Sequence, residues 1–307
     1  MLLFSSFFLS FLLQYGIHKI FTYYEKFDDI NFRSSHNTLA TKTGGIGIFI
    51  NLFLISLYFY SIGEEIFDYS VFIPLAIMFF VGVYDDFYNA NFKLKFFLQV
   101  IIAKIIIDQG FVIDNYYGFL GFREIPWFFA QITTVFIFLI IVNSINFIDG
   151  IDGLAITEVL KGILLFEFFS QDQTPFISLS TIILASIIPL YYFNFKKKNK
   201  VFLGDGGSLF FGTLLSIYVF YILGDDYNMN IEFQKNKVIF SILIVVYPLF
   251  DLLRVFIIRI KSRKSPFQPD QNHLHHYFYK RGYKTIYNLI FIQFISIVFV
   301  FIAFLFF

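Results

Sequence analysis

The sequence has no cysteine, and only 15% of its 307 residues are charged. The absence of cysteine excludes disulfides, zinc–thiolate sites and cysteine nucleophiles. The scarcity of charge, a hydrophobic fraction of 58% and a mean hydropathy of +0.71 exclude an ordinary soluble domain. A net charge of +1 argues against a nucleic-acid partner. We therefore expect a polytopic membrane protein.

About ten apolar segments approach the length of a membrane-spanning helix, roughly 20 residues. No soluble domain or internal repeat interrupts them, so residues 1–307 are predicted to form one all-α integral domain in a lipid bilayer. The first segment lacks a basic leader and a small-residue cleavage site, which predicts a retained helix. The predicted spans are 2–20, 44–62, 69–84, 94–112, 126–145, 154–170, 175–194, 208–223, 238–258 and 285–307.

The distribution of lysine and arginine predicts the orientation of these spans. Fifteen of these cations fall in the loops on one side, and three fall on the other. Because cytoplasmic loops carry the excess of positive charge, the first side is predicted to be cytoplasmic, with both termini outward. Segment 112–126 is then an external loop or hairpin.

The polar motifs all fall on the predicted cytoplasmic side, which places a candidate active site there. Polar side chains at membrane depth are costly and are usually retained for function. The motifs comprise Arg33 and His36 in the first inner loop, Asp85 and Asp86 after the third span, Lys93 and Lys95 before the fourth, residues 143–153 after the fifth, residues 202–208 before the eighth, and His273, His275 and His276 in the last inner loop.

The end of the fifth span contains four amide or carboxylate side chains. Asn143, Asn146 and Asp149 are spaced by three residues, so they occupy about one third of a helix circumference. The glycines that follow predict a break in the helix, after which Asp152 can turn toward the same cavity. The alternative is a helix end capped by Asx hydrogen bonds.

Two further motifs indicate chemistry with a cation and phosphate groups. Asp85 and Asp86 repel each other unless they share a proton or a cation, although they could also be solvated loop acids. The glycine-rich run 204–208 before a helix can attract phosphate, while Asp205 can hold a divalent cation. Among so many oxygen ligands, Mg²⁺ is favoured, with Mn²⁺ as the alternative, and the histidines are expected to donate to an anionic substrate.

Acids, cations and a glycine-rich helix start on one membrane face favour phosphoryl transfer between two anions. A metal and basic groups can screen the repulsion and stabilise the transition state. One substrate should be soluble and the other a lipid. A transporter that uses intramembrane acids as ion sites is the alternative from a different class.

Taken together and in this order, the motifs resemble those of the polyprenyl-phosphate N-acetylhexosamine-1-phosphate transferases. The resemblance rests on Asp85 and Asp86 with the following lysines, the run from Asn143 to Ala155, the run from Phe202 to Ser208, and the run from Asn272 to His276. It implies an enzyme of a bacterial cytoplasmic membrane. That enzyme transfers a sugar-1-phosphate from a UDP-N-acetylhexosamine to undecaprenyl phosphate, with Mg²⁺, and releases UMP.

The resemblance also implies roles for individual residues. Asp205 corresponds to the metal-binding aspartate, and Asn146 to an amide that helps to coordinate the metal. Asp85 and Asp86 correspond to the catalytic acidic pair near the lipid phosphate. Phe202 corresponds to the residue that stacks on uracil. The remaining substrate-binding positions are Asn143, Asp149, Asp152, Lys93, Lys95, Arg33, His36, His273, His275 and His276.

The spacing of the histidines resembles one branch of this family. His273, His275 and His276 are similar to the branch that starts O-antigen, teichoic acid or capsule-type glycans, which favours UDP-GlcNAc or a related amino sugar. The alternative is the phospho-MurNAc-pentapeptide transferase of peptidoglycan synthesis, in which three consecutive histidines stand in this loop. The first loop departs from the family pattern, but Lys42 supplies a cation there. A homodimer is left open.

Overall fold

Eleven α-helices and one pair of short strands make up the described part of a computed structural model, which covers residues 2–28, 39–229, 237–265, 273–274, 277, 281 and 285–306. The helices are α1 (Leu2–Tyr23), α2 (Gly44–Ser61), α3 (Phe72–Tyr88), α4 (Phe92–Asp108), α5 (Trp127–Ile148), α6 (Leu154–Phe168), α7 (Ile177–Asn194), α8 (Gly204–Leu223), α9 (Lys237–Ile244), α10 (Val246–Lys261) and α11 (Thr285–Phe306). The strands are β1 (Ala40–Thr41) and β2 (Lys200–Val201).

Each predicted span coincides with a helix or with a bent pair of helices, and the all-helical prediction is confirmed. The ninth predicted span, 238–258, is not one straight helix, because α9 and α10 meet at an angle of 76°. Six of the described helices are long and apolar enough to cross a membrane, or seven if the bent pair is one span. Ten spans with both termini outward therefore stay a prediction.

Helix α8 lies at the centre of the molecule. All but two of its 20 residues are buried, and it packs against α2, α3, α5, α6 and α9. A helix that is apolar on every side lies either in a protein core or in lipid, and these contacts place α8 in the core. The start of α8 is therefore held by its neighbours, and Asp205 lies in its first turn.

The two short strands align the starts of α2 and α8. Ala40 pairs with Lys200 and Thr41 with Val201 in a parallel ladder. Two further backbone hydrogen bonds run from the N–H groups of Gly44 and Gly45 to the carbonyls of residues 202 and 203, at 2.9 and 2.8 Å. The segment around Lys42 is thereby fixed beside the glycine-rich run.

Glycines allow α2 and α3 to approach the first turn of α8 closely. A Cβ atom on Gly82 of α3 would lie 2.2 Å from the carbonyl oxygen of Asp205, and one on Gly45 of α2 would lie 2.4 Å from Gly207. Real Cβ atoms do not come this close, so both positions require glycine. The predicted start of this helix at residue 208 is wrong by four residues, because the glycine-rich run is itself helical.

Both predicted interruptions of the chain are present. Helix α5 ends at Ile148 and α6 begins at Leu154, with Gly153 at φ +77°. Segment 112–126 forms a loop closed by an antiparallel bridge between Asn115 and Glu124. The α5–α6 break places Asp149 and Asp152 at the helix ends, outside the apolar packing.

A group of buried charged and polar side chains joins α6 to α11. Lys161 forms an ion pair with Glu158 and donates a hydrogen bond to Ser296. Gln293 donates to the other carboxylate oxygen of Glu158 at 2.7 Å. Because both carboxylate oxygens and the ammonium group have partners, this cluster satisfies its own charges.

Candidate active site

A cavity of about 240 Å³ opens where the first turn of α8 meets the α5–α6 break. It contains residues from several of the predicted motifs, although they are far apart in the sequence. Its lining residues are Asp28, Lys42, Asp86, Asp149, Gly150, Ile151, Asp152, Asn194, Phe202, Leu203, Gly204 and Asp205. A second cavity of about 220 Å³ shares Asp28, Lys42 and Asp86 with it.

Asp205 is oriented by a side chain from the end of α5. The Asn146 amide donates to Asp205 Oδ1 at 2.8 Å and to Ser208 Oγ at 2.8 Å. In this geometry Asn146 presents its NH₂ group to Asp205 and so holds the carboxylate in place. A positioned carboxylate at a helix start is suited to holding a divalent cation beside a phosphate.

Asp85 is linked to Asp205 through Lys95. The Lys95 ammonium forms an ion pair with Asp85, and its Nζ atom lies 3.9 Å from Asp205 Oδ2. The backbone N–H of Ala90 donates to Asp85 Oδ1 at 2.7 Å. Lys95 therefore reduces the repulsion between two carboxylates that come from different helices.

Asp86 binds the start of α8 and keeps one oxygen without a hydrogen bond. Its Oδ2 accepts from the backbone N–H of Gly206 at 3.0 Å, as an acid at a helix N-terminus should. Its Oδ1 is buried and has no hydrogen-bond partner in the described part of the chain. The Lys42 ammonium lies 3.7 Å from that oxygen. A buried oxygen of this kind is an available acceptor for a cation or a donor group.

Lys42 stands between two acids at the boundary of the two cavities. Its ammonium group lies 2.9 Å from Asp28 Oδ1. Burial by itself would lower the pKa of Lys42, but the hydrogen bond to Asp28 and the charges of Asp86 and Asp205 raise it above the usual value. Lys42 therefore remains protonated and can bind an anion.

The α5–α6 break contributes two acids with different surroundings. Desolvation raises the pKa of Asp149 well above its usual value, and the nearby charges of Asp205 and Asp86 act in the same direction. Asp152 instead forms an ion pair with Lys200. Asp149 is thus the acid at this edge that favours a proton or an added cation, whereas the charge of Asp152 is already balanced.

The structure brings together many of the predicted residues but not all of them. Asn143 faces α4, where it donates to Gln99 at 2.9 Å, and it also donates to the Leu139 carbonyl of its own helix at 2.7 Å. Lys93 is exposed, unlike Lys95. The predicted positions Arg33, His36, His275 and His276 lie outside the described residues.

His273 contacts a residue that the motif analysis missed. It is buried, its Nδ1 lies 2.8 Å from Asp251 Oδ2, and its ring centroid lies 5.9 Å from that of Phe147. The signal for Asp251 in the sequence is an acid three residues before Arg254 inside an apolar run. Asp28 and Lys200 were missed too, because short loop residues carry no periodic pattern.

Among the described residues around the cavity, carboxyl groups outnumber the cations that pair with them, and such a set fits a divalent cation. Apart from the pair of Asp152 and Lys200, five carboxyl groups lie in or beside the cavity, whereas the paired cations are Lys42 and Lys95. No ready-made group of three or more acidic or histidine ligands occurs among the described residues. Mg²⁺ suits such a site, because it takes one or two carboxylates and completes its shell with water and phosphate.

Comparison with known proteins gives consistent matches. The model of the family described as Glycosyl transferase family 4 matches residues 69–223, which run from the turn before α3 to the end of α8. The probable undecaprenyl-phosphate N-acetylglucosaminyl 1-phosphate transferase of Bacillus subtilis (strain 168) is 31% identical over 252 residues, which cover 80% of this chain and 67% of the relative.

Two enterobacterial relatives carry a closely similar name, undecaprenyl-phosphate alpha-N-acetylglucosaminyl 1-phosphate transferase. The protein of Yersinia pestis is 28% identical over 272 residues, covering 84% of this chain and 70% of the relative. That of Escherichia coli (strain K12) is 26% identical over 278 residues, with coverages of 84% and 70%. The family match contains Asp85, Asp86, Asn146 and Asp205, the residues at the centre of the site.

Proposed function

Because this chain belongs to glycosyl transferase family 4, we propose that it transfers N-acetylglucosamine-1-phosphate from UDP-N-acetylglucosamine to undecaprenyl phosphate and releases UMP. The names of the three relatives support this acceptor and this sugar. They favour it over the transfer of phospho-MurNAc-pentapeptide. Membership of a transferase family also favours an enzyme over a transporter.

One observation carries the proposal. Asp85 and Asp86 from α3, Asn146 from α5 and Asp205 from α8 meet at a single cavity edge. Lys42 and Lys95 approach the same edge from a loop and from α4. A reaction between two anions needs such a set of cations and cation-binding acids around the reacting phosphates.

We assign Asp205 as the protein ligand of Mg²⁺, and Asp86 lines the same cavity, where its Oδ1 has no hydrogen bond in the described part of the chain and lies 3.7 Å from Lys42 Nζ. When bound, Mg²⁺ supplies charge neutralisation of the phosphate oxygens in the transition state. Asn146 orients the Asp205 carboxylate through its NH₂ group, and its role as a second ligand stays a prediction.

In the proposed reaction, an oxygen of the lipid phosphate attacks the β-phosphorus of the nucleotide sugar in line. The new P–O bond joins sugar phosphate to lipid phosphate, and the bond to the bridging oxygen breaks with UMP as the leaving group. A phosphate monoester has its second pKa near 6, so the nucleophile needs positioning more than deprotonation. Lys42 and Lys95 are placed to hold phosphate oxygens, and Phe202 lines the cavity where a uracil ring would stack.

The alternative chemistry is a double displacement through an aspartyl-phosphate on one of the acids. It would form a covalent sugar-phosphate adduct in the absence of lipid acceptor. Incubation with UDP-sugar labelled in the sugar, followed by denaturation and mass analysis of the protein, distinguishes the two. We expect no labelled protein, and a stoichiometric adduct would overturn the single displacement.

We propose that the cavity faces the cytoplasm of a bacterial cytoplasmic membrane, with ten spans and both termini outward. The excess of cations in the loops on the cavity side supports this orientation. So does the placement of the α3 and α5 carboxyl ends with the α8 amino end around one cavity. A homodimer stays open as a prediction.

The experiment is a transfer assay with purified protein, undecaprenyl phosphate, Mg²⁺ and UDP-N-acetylglucosamine labelled in the sugar. We expect label in a lipid-linked pyrophosphate sugar and release of one UMP for each product, identified by mass. UDP-N-acetylgalactosamine and UDP-MurNAc-pentapeptide serve as competing donors. No lipid-linked product with any of these donors would contradict the proposed function, and preference for the pentapeptide would correct the donor.

A further inference from the structure

Asp251 on α10 is a buried acid that none of the steps above uses. Its side chain is 0% exposed. Arg254, one turn further along α10, donates to its Oδ1 from Nη2 at 2.8 Å and from Nε at 3.2 Å. The desolvation of a carboxylate is costly unless charged donors satisfy it. Arg254 supplies that charge from the same helix. The other contacts of Asp251 are therefore not needed to balance its charge, and they can hold another segment in place.

Those other contacts come from the segment that carries the histidine motif. The Nδ1 atom of His273 lies 2.8 Å from Asp251 Oδ2, and the backbone N–H of Leu274 donates to Asp251 Oδ1 at 2.9 Å. The carbonyl of His273 accepts from the Tyr277 N–H at 3.2 Å. One carboxylate therefore fixes both the side chain and the backbone at the beginning of the segment.

His273 lies close to the candidate active site. The His273 ring packs on Phe147 of α5, with 5.9 Å between the ring centroids. Phe147 directly follows Asn146, the residue that orients Asp205. A shift of His273 would thus act on the residue next to Asn146, at the edge of the site, where small displacements have large effects on binding.

We propose that Asp251 is a positioning residue, which anchors the start of the histidine segment through His273 and Leu274 and thereby sets the affinity for the nucleotide-sugar donor. The proposal rests on the proposed function for the identity of the donor. In this proposal His273 is held by Asp251, whereas the sequence motifs assigned His273 to substrate binding. Asp251 acts through the segment and does not line the cavity.

Glu158 provides a matched control for this proposal. It is also a carboxylate on a helix, 1% exposed, with a charged donor on one oxygen and a neutral donor on the other. Its partners Lys161, Gln293 and Ser296 belong to the cluster that joins α6 and α11. Glu158→Gln therefore measures the general effect of neutralising a buried acid without touching the histidine segment.

The test compares Asp251→Asn, His273→Gln, the double variant and Glu158→Gln. Loss of a hydrogen bond to a charged group should raise the KM for UDP-N-acetylglucosamine about tenfold in Asp251→Asn. We expect kcat and the KM for undecaprenyl phosphate to stay within about threefold. His273→Gln should have a similar effect, and the double variant should be no worse than the stronger single variant, because both changes break one contact.

A readout without substrate separates this proposal from the proposed function. Trypsin cleavage after Lys264 and Arg281 should be faster in Asp251→Asn and in His273→Gln than in wild type, and unchanged in Glu158→Gln. If wild type transfers no sugar phosphate but the cleavage rates follow this pattern, the proposed function is wrong and the proposed anchoring role of Asp251 is supported.

Two results would overturn the anchor. One is Asp251→Asn with unchanged donor KM and cleavage rate. The other is an equal rise in the KM of both substrates with a fall in kcat, together with a fall in Tm that matches that of Glu158→Gln. That result would mean that Asp251 only stabilises the fold. If Asp251→Asn cannot be purified, His273→Gln carries the test through trypsin cleavage after Arg281, because the loss of a substrate contact alone would leave that cleavage rate unchanged.

Discussion

Two groups of buried charges in the described part of the molecule differ in how completely they are satisfied. In the cluster of Glu158 and Lys161, both carboxylate oxygens and the ammonium group have partners. Among the described residues at the cavity, the acids outnumber the paired lysines, and one oxygen of Asp86 has no hydrogen bond. A closed set of charges supports packing, whereas an unbalanced set is suited to a ligand. Burial of charge alone would not have separated these two roles.

The largest effect should come from Asp205. Asp205→Asn retains the shape of the side chain and its contact with Asn146 but removes the charge that is proposed to hold the cation. We expect kcat to fall by at least about a hundredfold, the effect of losing a group that stabilises transition-state charge. The measurement is initial transfer rate against Mg²⁺ concentration, and an unchanged rate would remove Asp205 from the site.

Glu158→Gln should produce the opposite pattern. It leaves Lys161 with a neutral partner in a buried position, so we expect a loss of about 3 kcal/mol in stability. The kcat of the folded protein should remain unchanged. Denaturation in detergent, combined with the transfer assay, measures both quantities. A large loss of kcat without loss of stability would show that the closed cluster takes part in catalysis.

The two lysines at the start of α4 give an internal comparison. Lys95 pairs with Asp85 and approaches Asp205, whereas Lys93 is exposed. Lys95→Gln should reduce kcat/KM about tenfold, because it removes a charged hydrogen bond at the site, and Lys93→Gln should leave it within about twofold. Equal losses in both variants would support the sequence-based assignment of both lysines to substrate binding.

The smallest effect should come from Phe202. Phe202→Ala removes the ring proposed to stack on uracil, which is worth about 1 kcal/mol at the low end for an aromatic ring on a base. The KM for UDP-N-acetylglucosamine should rise about fivefold, while that for undecaprenyl phosphate stays constant. The matched change Phe195→Ala, outside the lining of the cavity, serves as the control. A rise in both KM values would reject the stacking role.

The sequence predicted the helices well, because long apolar runs permit no other structure in a membrane. It missed the 76° bend between α9 and α10, because both helices belong to one apolar run and hydropathy carries no information about the direction of a helix axis. It also placed the start of α8 too late. The glycines that suggested a loop serve close packing against Gly45 and Gly82, and close packing between helices is a tertiary property.

The central residues of the candidate site were also identified from the sequence, because several short polar motifs interrupt apolar segments on one side. The sequence could not show which of these side chains contact each other. Asn143 and Asn146 share a helix, yet one faces Gln99 and the other Asp205. Lys42, Lys200 and Asp251 gained their positions from the strand pair and from α10, which join residues distant in the chain. Such contacts depend on the packed fold and not on local spacing.

The most direct test of the contrast between the two charge groups is an experimental structure with Mn²⁺ and a UDP-N-acetylglucosamine analogue that cannot react. Mn²⁺ prefers oxygen ligands, as Mg²⁺ does, and its anomalous scattering locates it. We predict one peak within coordination distance of Asp205, with the pyrophosphate beside Lys42, and no peak at Glu158. A metal bound elsewhere, or a nucleotide bound outside the cavity of Asp86, Phe202 and Asp205, would contradict the account.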